Sequence, residues 1–362
     1  VNLGIHKESG KTGLHRLSPY TGKVRPELAH YLIKKYSSSN GNIFDPFSGS
    51  GTIPLEGWIS GRDVYANDLS KYGYVLTSGK LNPPKSLERA VKKLNKFNDE
   101  VKIISKDVKL TDIPKWVRAF FHNKTLKETV AWSNLLNSKK EWFYLSCLLG
   151  ILHHQRPGFL SYPACHGAPY LRTDKFPQAI YPELYSYRDV FTRLLKKVQR
   201  SFNALPKLDY SLERKVTKKC ASTYSQRLDR VHTIITSPPY MKSLTYARDN
   251  RLRLWFLGEN DWRLLENKIS PSKKSFLDLI GNSLRNWSLY QKKGDRCIII
   301  IGKLIIDRKN GLTLSDYLVD SAKSTGYSLE DIIVDPIPDD KRMVKNQKGV
   351  KEEEIIILRR GK

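Results

Sequence analysis

Apolar and polar positions alternate along this chain with two different periods, and the changes of period mark its parts. From Val24 to Tyr36, Pro26 stands near a helix start and Leu28, Tyr31, Leu32 and Lys35 follow at helical spacing, until Ser37-Ser38-Ser39-Asn40-Gly41 ends the run. A short apolar strand then begins at Asn42. The stretch Thr52 to Ser60 predicts a helix with Pro54 in its first turn, and Arg62 to Asn67 a strand that ends at Asp68, which completes a βαβ unit. After Asn82-Pro83-Pro84 the period changes. Residues 85 to 210 are rich in Lys, Leu, Trp and Tyr at three-to-four spacing, with a Pro, Gly and His interruption between Gln155 and Pro182, which predicts an inserted and mostly helical lobe. Strand patterning returns at Arg230 to Thr236, a helical stretch runs from Tyr246 to Leu257, and strands follow at Cys297 to Ile301 and Glu354 to Leu358. The expected fold class is therefore α/β, a Rossmann-like mixed sheet with a large helical insertion. Its expected parts are residues 1–80, 81–215 and 216–362.

Composition adds a partner. The 362 residues are 40% hydrophobic, enough for a sizeable core, and they carry 63 Lys and Arg against 36 Asp and Glu, a formal charge of +27. That excess exceeds what solubility requires and points to a polyanion, nucleic acid first. The sequence shows neither an apolar run of transmembrane length nor a signal-peptide pattern, so no membrane partner is expected and the cytoplasm is the expected location. Cys147, Cys165, Cys220 and Cys297 are far apart without C-x-x-C spacing, which signals neither zinc nor a disulfide framework, and no metal is expected. The chain starts at Val1 without a methionine, so a few residues of the natural start are expected to be missing.

Two short segments carry the chemistry. In Asn42-Ile43-Phe44-Asp45-Pro46-Phe47-Ser48-Gly49-Ser50-Gly51-Thr52 a strand runs into a glycine turn and opens a helix, an arrangement that lets bare N–H groups approach a ligand. Asp68 at the next strand end can accept hydrogen bonds from both hydroxyls of a ribose, or can simply cap a helix. Asp45 can cap the turn or meet a cationic amino group such as the methionine end of S-adenosylmethionine. Far downstream, Thr236-Ser237-Pro238-Pro239-Tyr240 ends another strand with a small polar group, two rigid prolines and an aromatic face suited to a flat base.

These segments resemble a known family. Asp45-Pro46-Phe47-Ser48-Gly49-Ser50-Gly51-Thr52 is similar to motif I, and Ser237-Pro238-Pro239-Tyr240 to motif IV, of the amino-methyltransferases that act on exocyclic nitrogens of DNA bases; the Ser-Pro-Pro-Tyr form is similar to the cytosine-N4 branch. Ser18-Pro19-Tyr20-Thr21-Gly22-Lys23 with Pro26-Glu27-Leu28 resembles motif X, which holds the methionine carboxylate. The resemblance implies a class I methyltransferase fold and S-adenosylmethionine as cofactor, bound by Thr21, Lys23, Asp45, Phe47, Gly49, Gly51, Thr52 and Asp68. It implies catalysis by Ser237, Pro238, Pro239 and Tyr240, with the insertion as target-recognition region. It further implies double-stranded DNA as substrate and a cognate restriction endonuclease as partner. Lys218-Lys219-Cys220-Ala221-Ser222 lacks the acid that in the family contacts the cofactor's adenine, so that contact is unassigned.

Physical chemistry makes the second motif intelligible. The exocyclic amine of cytosine is a poor nucleophile because its lone pair is delocalised into the ring. A Ser237 hydroxyl and the Pro238 carbonyl accepting its two N–H bonds would localise that pair, while Tyr240 stacks on a base flipped from the duplex. No cysteine follows a proline here, as carbon methylation of cytosine would ask. Arg248, Arg251 and Arg253 on the predicted helix after the motif are candidates to grip phosphate or to lie on a solvated face. His153, His154, Arg156, Tyr162, His166, Tyr170 and Arg172 form a basic, aromatic loop that can read base edges, fill the gap left by flipping, or be structural. Arg193, Lys196, Lys197 and Arg200 make a positive helix face. Competing readings are an adenine-N6 enzyme, a transfer-RNA guanine-N2 methyltransferase, and a catalytically silent nucleic-acid-binding subunit.

Overall fold

The computed structural model describes residues 10–224, 230–239, 245–336 and 352–361. Strands β1 (Ile43–Asp45), β2 (Val64–Asn67), β3 (Arg214–Thr217), β4 (Thr233–Thr236) and β5 (Arg296–Gly302) are mutually parallel. After a small ladder of β6 (Ile305–Asp307) and β7 (Leu312–Thr313) come β8 (Tyr327–Pro336) and β9 (Glu352–Arg360). The main sheet has the order β3-β2-β1-β4-β5-β9-β8, with β9 antiparallel to both its neighbours.

Both faces of this sheet are covered, which is why its central strands read as unbroken apolar runs. Ile43, Ile235, Ile298, Ile300, Ile355 and Ile357 enter one core. Helices α1 (Pro26–Tyr36), α2 (Thr52–Ile59) and α3 (Lys71–Leu81) lie on that face. Phe44, Ile234, Cys297, Ile299, Ile356 and Leu358 enter the other. The strand period of two thus splits one Ile run between two layers.

Between β2 and β3 the chain builds α4 (Leu87–Ile104), α5 (Lys115–Arg118), α6 (Asn123–Ser138), α7 (Trp142–Gly150) and α8 (Val190–Ser201). In α4, Ser86 accepts from the Arg89 N–H at 3.2 Å to start the helix, and Ala90, Leu94, Phe97 and Val101 form its buried stripe. These helices do not form a separate lobe with its own core. Phe97, Trp132, Leu148 and Val198 belong to the same apolar cluster as Ile43 and Val75. Helix α7 lies directly on α3, where the Ser146 hydroxyl donates to the Val75 carbonyl at 3.1 Å and a Cβ at Gly79 would sit 2.7 Å from the Trp142 carbonyl oxygen. The expected interruption between Gln155 and Pro182 is present as irregular chain. Buried Arg188 organises it by donating to the carbonyls of Phe159 and Leu184, each at 2.8 Å.

Beyond β4 lie α9 (Tyr246–Asp249), α10 (Arg251–Phe256), α11 (Trp262–Ile269), α12 (Lys273–Ser288) and, after β7, α13 (Leu314–Lys323). Helices α12 and α13 cover the second face. The single helix expected over Tyr246 to Leu257 is two helices, because buried Asn250 turns its amide back on the Tyr246 carbonyl at 2.9 Å. Among the described residues no helix is long and apolar enough to cross a membrane.

Candidate active site

Three neighbouring parallel strands, β2, β1 and β4, end on the same edge of the sheet, and each delivers one of the polar groups singled out from the sequence. Register aligns Asp45 with Ala66 and Phe44 with Ile234, so Asp45, Asp68 and Ser237 emerge side by side. The strand ends border a crevice at this edge of the sheet. One pocket occupies it. Its walls include Asp45, Phe47, Gly49, Thr52, Asp68, Lys23, Ser237 and Pro239 among the expected residues. Thr21, Gly51 and Pro238 do not line it, and Tyr240 lies outside the described residues.

The glycine turn is built differently from the simplest expectation of bare N–H groups. Gly49 N–H donates to Asp68 Oδ2 at 2.7 Å, Gly51 N–H to the Ser48 carbonyl at 2.7 Å, and Ser48 N–H to the Asn67 carbonyl at 2.9 Å. Gly49 and Gly51 have φ of 49° and 73°, in the left-handed region that favours glycine. They serve close packing: a Cβ on Gly51 would lie 2.8 Å from the Thr77 Cα, and one on Gly49 would lie 3.1 Å from the Tyr20 ring. Gly51 therefore holds α2 against α3, and Gly49 admits Tyr20 over the turn.

Asp68 both closes the turn and faces the pocket. Besides Gly49 N–H it accepts Ser70 N–H at 2.8 Å, and a carboxylate with about four lone-pair sites retains two for a ligand. Gly73 is the unforeseen condition for this placement, since a Cβ there would lie 2.5 Å from the Asp68 carboxyl carbon. Asp45 is buried and accepts from the Thr236 hydroxyl at 2.7 Å and from Phe47 N–H at 3.2 Å, which ties β1 to β4. Burial pushes the Asp45 carboxyl up to about 7 against those two bonds, and nearby Asp68 adds to the rise; burial also pushes Asp68 up to about 6. Burial thus makes both acids hard to ionise in one pocket wall, which suits a cationic ligand.

Sequence reasoning missed much of the wall. Tyr20, rather than Thr21, covers the turn, stacked on Tyr72 at 5.8 Å and tilted against Tyr246 at 6.3 Å. Tyr72 positions it by sharing a 2.7 Å hydrogen bond with the Ser18 hydroxyl and donating to the Pro19 carbonyl. Asn67 clamps the end of β3 by donating to the Lys219 carbonyl at 2.9 Å and accepting Lys219 N–H at 3.0 Å, which sets Lys219, Cys220 and Ala221 in the wall. Lys268, Ile269 and Leu279 close the far side from α11 and α12. Tyr20 belongs to the segment that resembles motif X, but neither its ring nor the other side chains here were singled out from the sequence as pocket wall.

Parts of this chain are similar to known methyltransferases. A family model described as RMKL-like, methyltransferase domain matches residues 15–113, the stretch that carries the glycine turn and Asp68. This is a Rossmann-like class I methyltransferase fold. The Type II methyltransferase M.MvaI of Kocuria varians is 29% identical over 126 residues, covering 33% of this chain and 28% of that protein. The Type II methyltransferase M.MjaII of Methanocaldococcus jannaschii is 24% identical over 143 residues, 36% of this chain and 27% of that protein. The chain thus spans little more than a quarter of the curated relatives it matches. Among solved structures, TrmN from Thermus thermophilus is similar at 14% identity with a TM-score of 0.37, covering 94% of this chain and 50% of that one.

S-adenosylmethionine is the cofactor this fold takes, and the site fits it. Asp45 and Asp68, two acids with raised pKa in one pocket, suit a ligand that carries an ammonium, a sulfonium and a ribose. Were Asp45, pushed up to about 7 by burial, to meet the ligand's ammonium, it would have to ionise first, so the expected result is an affinity that falls as pH drops from 8 to 5.5, approaching a tenfold change per unit. The stability sign is opposite: a carboxyl whose folded pKa lies above its unfolded value stabilises the ligand-free fold at low pH and loses that contribution as pH rises through about 7. Titration calorimetry across that range, with melting curves of the free protein, measures both; a flat affinity would leave Asp45 as a turn cap alone.

The candidate nucleic-acid contacts fall into two groups. Arg156 is exposed; Arg172 is half-buried and donates to Gln155; Arg248 is exposed and pairs with Asp249 at 3.5 Å; Arg251 donates to the Pro169 carbonyl at 2.6 Å. These four remain near the surface. Arg253 does not: it is 1% exposed, donating to the Leu149 carbonyl at 3.2 Å and to Asn250 Oδ1 at 2.9 Å, so it holds α10 to α7 and cannot reach a phosphate. His153 is likewise buried, with Nδ1 3.0 Å from the Cys165 carbonyl oxygen. Arg193 and Lys197 bond to the Asp189 and Arg16 carbonyls, which leaves Lys196 and Arg200 as the exposed part of the α8 face.

Proposed function

We propose that this chain is a DNA methyltransferase that modifies the exocyclic N4 of cytosine in duplex DNA, the protective partner of a restriction endonuclease. The observation that carries the reading is that Ser237 and Pro239 line the same pocket as Asp45 and Asp68, so a group held at the Ser-Pro-Pro turn shares a cavity with the cofactor site. S-adenosylmethionine supplies an electrophilic methyl group there. The chain's part is positioning. Ser237 Oγ and the Pro238 carbonyl accept the two N–H bonds of the target amine and concentrate its lone pair on nitrogen, and the two prolines keep that acceptor pair rigid. Tyr240 stacks on the extruded base. Residues 1–80 and 216–362 form the cofactor and catalytic parts in this reading, and residues 81–215 the target-recognition region. The names of the two Type II methyltransferases to which the chain is similar support DNA as substrate.

Incubation with methyl-labelled cofactor and either duplex DNA or transfer RNA, followed by nucleoside analysis, decides the matter. N4-methylcytosine in DNA is the expected product. N6-methyladenine would move the target to adenine, and label confined to RNA would overturn the DNA reading. The charge of +27 adds a second expectation: log affinity for DNA should fall linearly with log salt, with a slope magnitude of about 4 or more, as several phosphates are neutralised. A slope near zero in a filter-binding or anisotropy series would exclude a polyanionic substrate.

A further inference from the structure

We propose that a groove beside β3, adjoining the cofactor pocket, seats a phosphodiester of the substrate's backbone; this rests on the duplex-DNA reading above. β3 ends on the same edge of the sheet as β2, β1 and β4, and its register with β2 sets Thr217 beside Asn67, so Lys218 and Lys219 emerge next to Asp68. Asp68 N–H donates to the Thr217 carbonyl at 3.1 Å, which ties the two strand ends together. The start of α3 supplies the rest. Lys71 and Tyr74, three residues apart on that helix, line one cavity with Val216, Thr217, Lys218 and Lys219. Lys219 also lines the cofactor pocket, so the two cavities share a wall. That wall is set in advance, because the Asn67 amide holds both the N–H and the carbonyl of Lys219.

The groove's charge is of one sign. Three lysines and no acid line it among the described residues, and Glu259 approaches only to 3.8 Å from the Lys218 amine. Lys71 is half-buried and donates to the neutral Leu257 carbonyl. Burial lowers its amine below the ordinary lysine value; Glu259 opposes the fall and Lys218 deepens it, so the two like charges feel one another. Among the described residues Lys219 makes no ion pair and the Tyr74 hydroxyl no hydrogen bond, while the Tyr74 ring is fixed edge-on to Trp142 at 5.7 Å. A phosphodiester meets each of these conditions. Its charge relieves the repulsion between Lys71 and Lys218, its two free oxygens accept from lysine amines, and the tyrosine hydroxyl adds a neutral donor. The formal charge of +27 favours a polyanion over a small free anion as its source. In the order β3-β2-β1-β4 the groove lies three strand spacings from the end of β4 and Ser237, roughly 14 Å. The seated phosphate therefore belongs to a nucleotide near the target, and the backbone touches the sheet on both flanks of the cofactor pocket.

The test separates one seated phosphate from general attraction. The methylated position in mixed-sequence duplex DNA is first mapped, and duplexes are made around it in which single phosphates are replaced in turn by uncharged methylphosphonates. Affinity is measured for the parent, Lys218→Gln, Lys218→Arg and Lys293→Gln, with melting curves to verify folding. Lys293 is an exposed lysine just before β5, at the opposite edge of the sheet, and controls for net charge. Lys218→Gln should weaken binding about threefold or more and reduce the salt slope by about 1, whereas Lys218→Arg and Lys293→Gln should match the parent. At one backbone position near the target, the methylphosphonate should weaken the parent in similar measure and leave Lys218→Gln unaffected. The proposal is overturned if Lys218→Gln behaves as Lys293→Gln does, if Lys218→Arg loses as much as Lys218→Gln, or if Lys218→Gln stays sensitive at every position where the parent is. In those cases the DNA reading stands. A parent that methylates only RNA, or nothing, overturns both.

Discussion

Asp45→Asn is expected to weaken S-adenosylmethionine binding by at least about a hundredfold, roughly 3 kcal/mol, in a protein that still folds. Asparagine has nearly the volume of aspartate, and its amide oxygen can go on accepting from the Thr236 hydroxyl and Phe47 N–H, so the tie between β1 and β4 survives. What is lost is the charge. Asp45 is buried in the pocket wall, where a ligand ammonium finds little water to replace a missing carboxylate. Calorimetric titration beside a thermal melt reads both quantities. A folded variant that binds as tightly as the parent would remove Asp45 from the cofactor site.

Ser237→Ala carries the second large effect, in the rate rather than in affinity. The side chain is half-buried at the end of β4, and its removal deletes one of the two acceptors assigned to the target amine. By comparison with a lost oxyanion donor, the cost is on the order of 3 kcal/mol of barrier, about a hundredfold in single-turnover rate, with the cofactor dissociation constant unchanged. Ser237→Asn, which restores an acceptor oxygen, should recover part of the rate. If the alanine variant keeps the parental rate, the acceptor role fails and Ser237 only shapes the turn.

Elements with a strong internal pattern are legible in the sequence itself. The glycine turn, the helix that opens at Thr52, the Ile run of β5 and the closing strand all announce themselves through spacing or composition. Those that depend on distant partners were not. β3 reads Arg-Lys-Val-Thr with every residue half-buried, the signature of an edge strand that has only one neighbour to define it. Helix α3 carries Gly73 and Gly79 and is buried on most sides, so it lacks an amphipathic stripe; each glycine there makes room for a group far away in sequence. Arg253 misled for a related reason. Charge suggested exposure, whereas the break at Asn250 rotates α10 so that this arginine caps carbonyls within the fold. In the site, strand ends could be placed because acids and glycines stand at the right distance from apolar runs. Lys268, Ile269 and Leu279 could not, since only the packing of loops and helices brings them to the pocket.

The seating of α7 constrains how this protein can be re-engineered. A Cβ on Gly150 would lie 2.0 Å from the Leu17 carbonyl oxygen, one residue before the Ser18-Pro19-Tyr20 segment whose ring covers Gly49. The helices between β2 and β3 are therefore no interchangeable cartridge. Grafting a foreign segment at its two ends would strip the apolar flank from Val75 and loosen the tyrosine over the glycine turn, so a chimera would have to import its own counterpart of α7 together with residues 14–20. Evolution faces the same linkage: a substitution that repacks α7 is felt at once in the packing around the glycine turn.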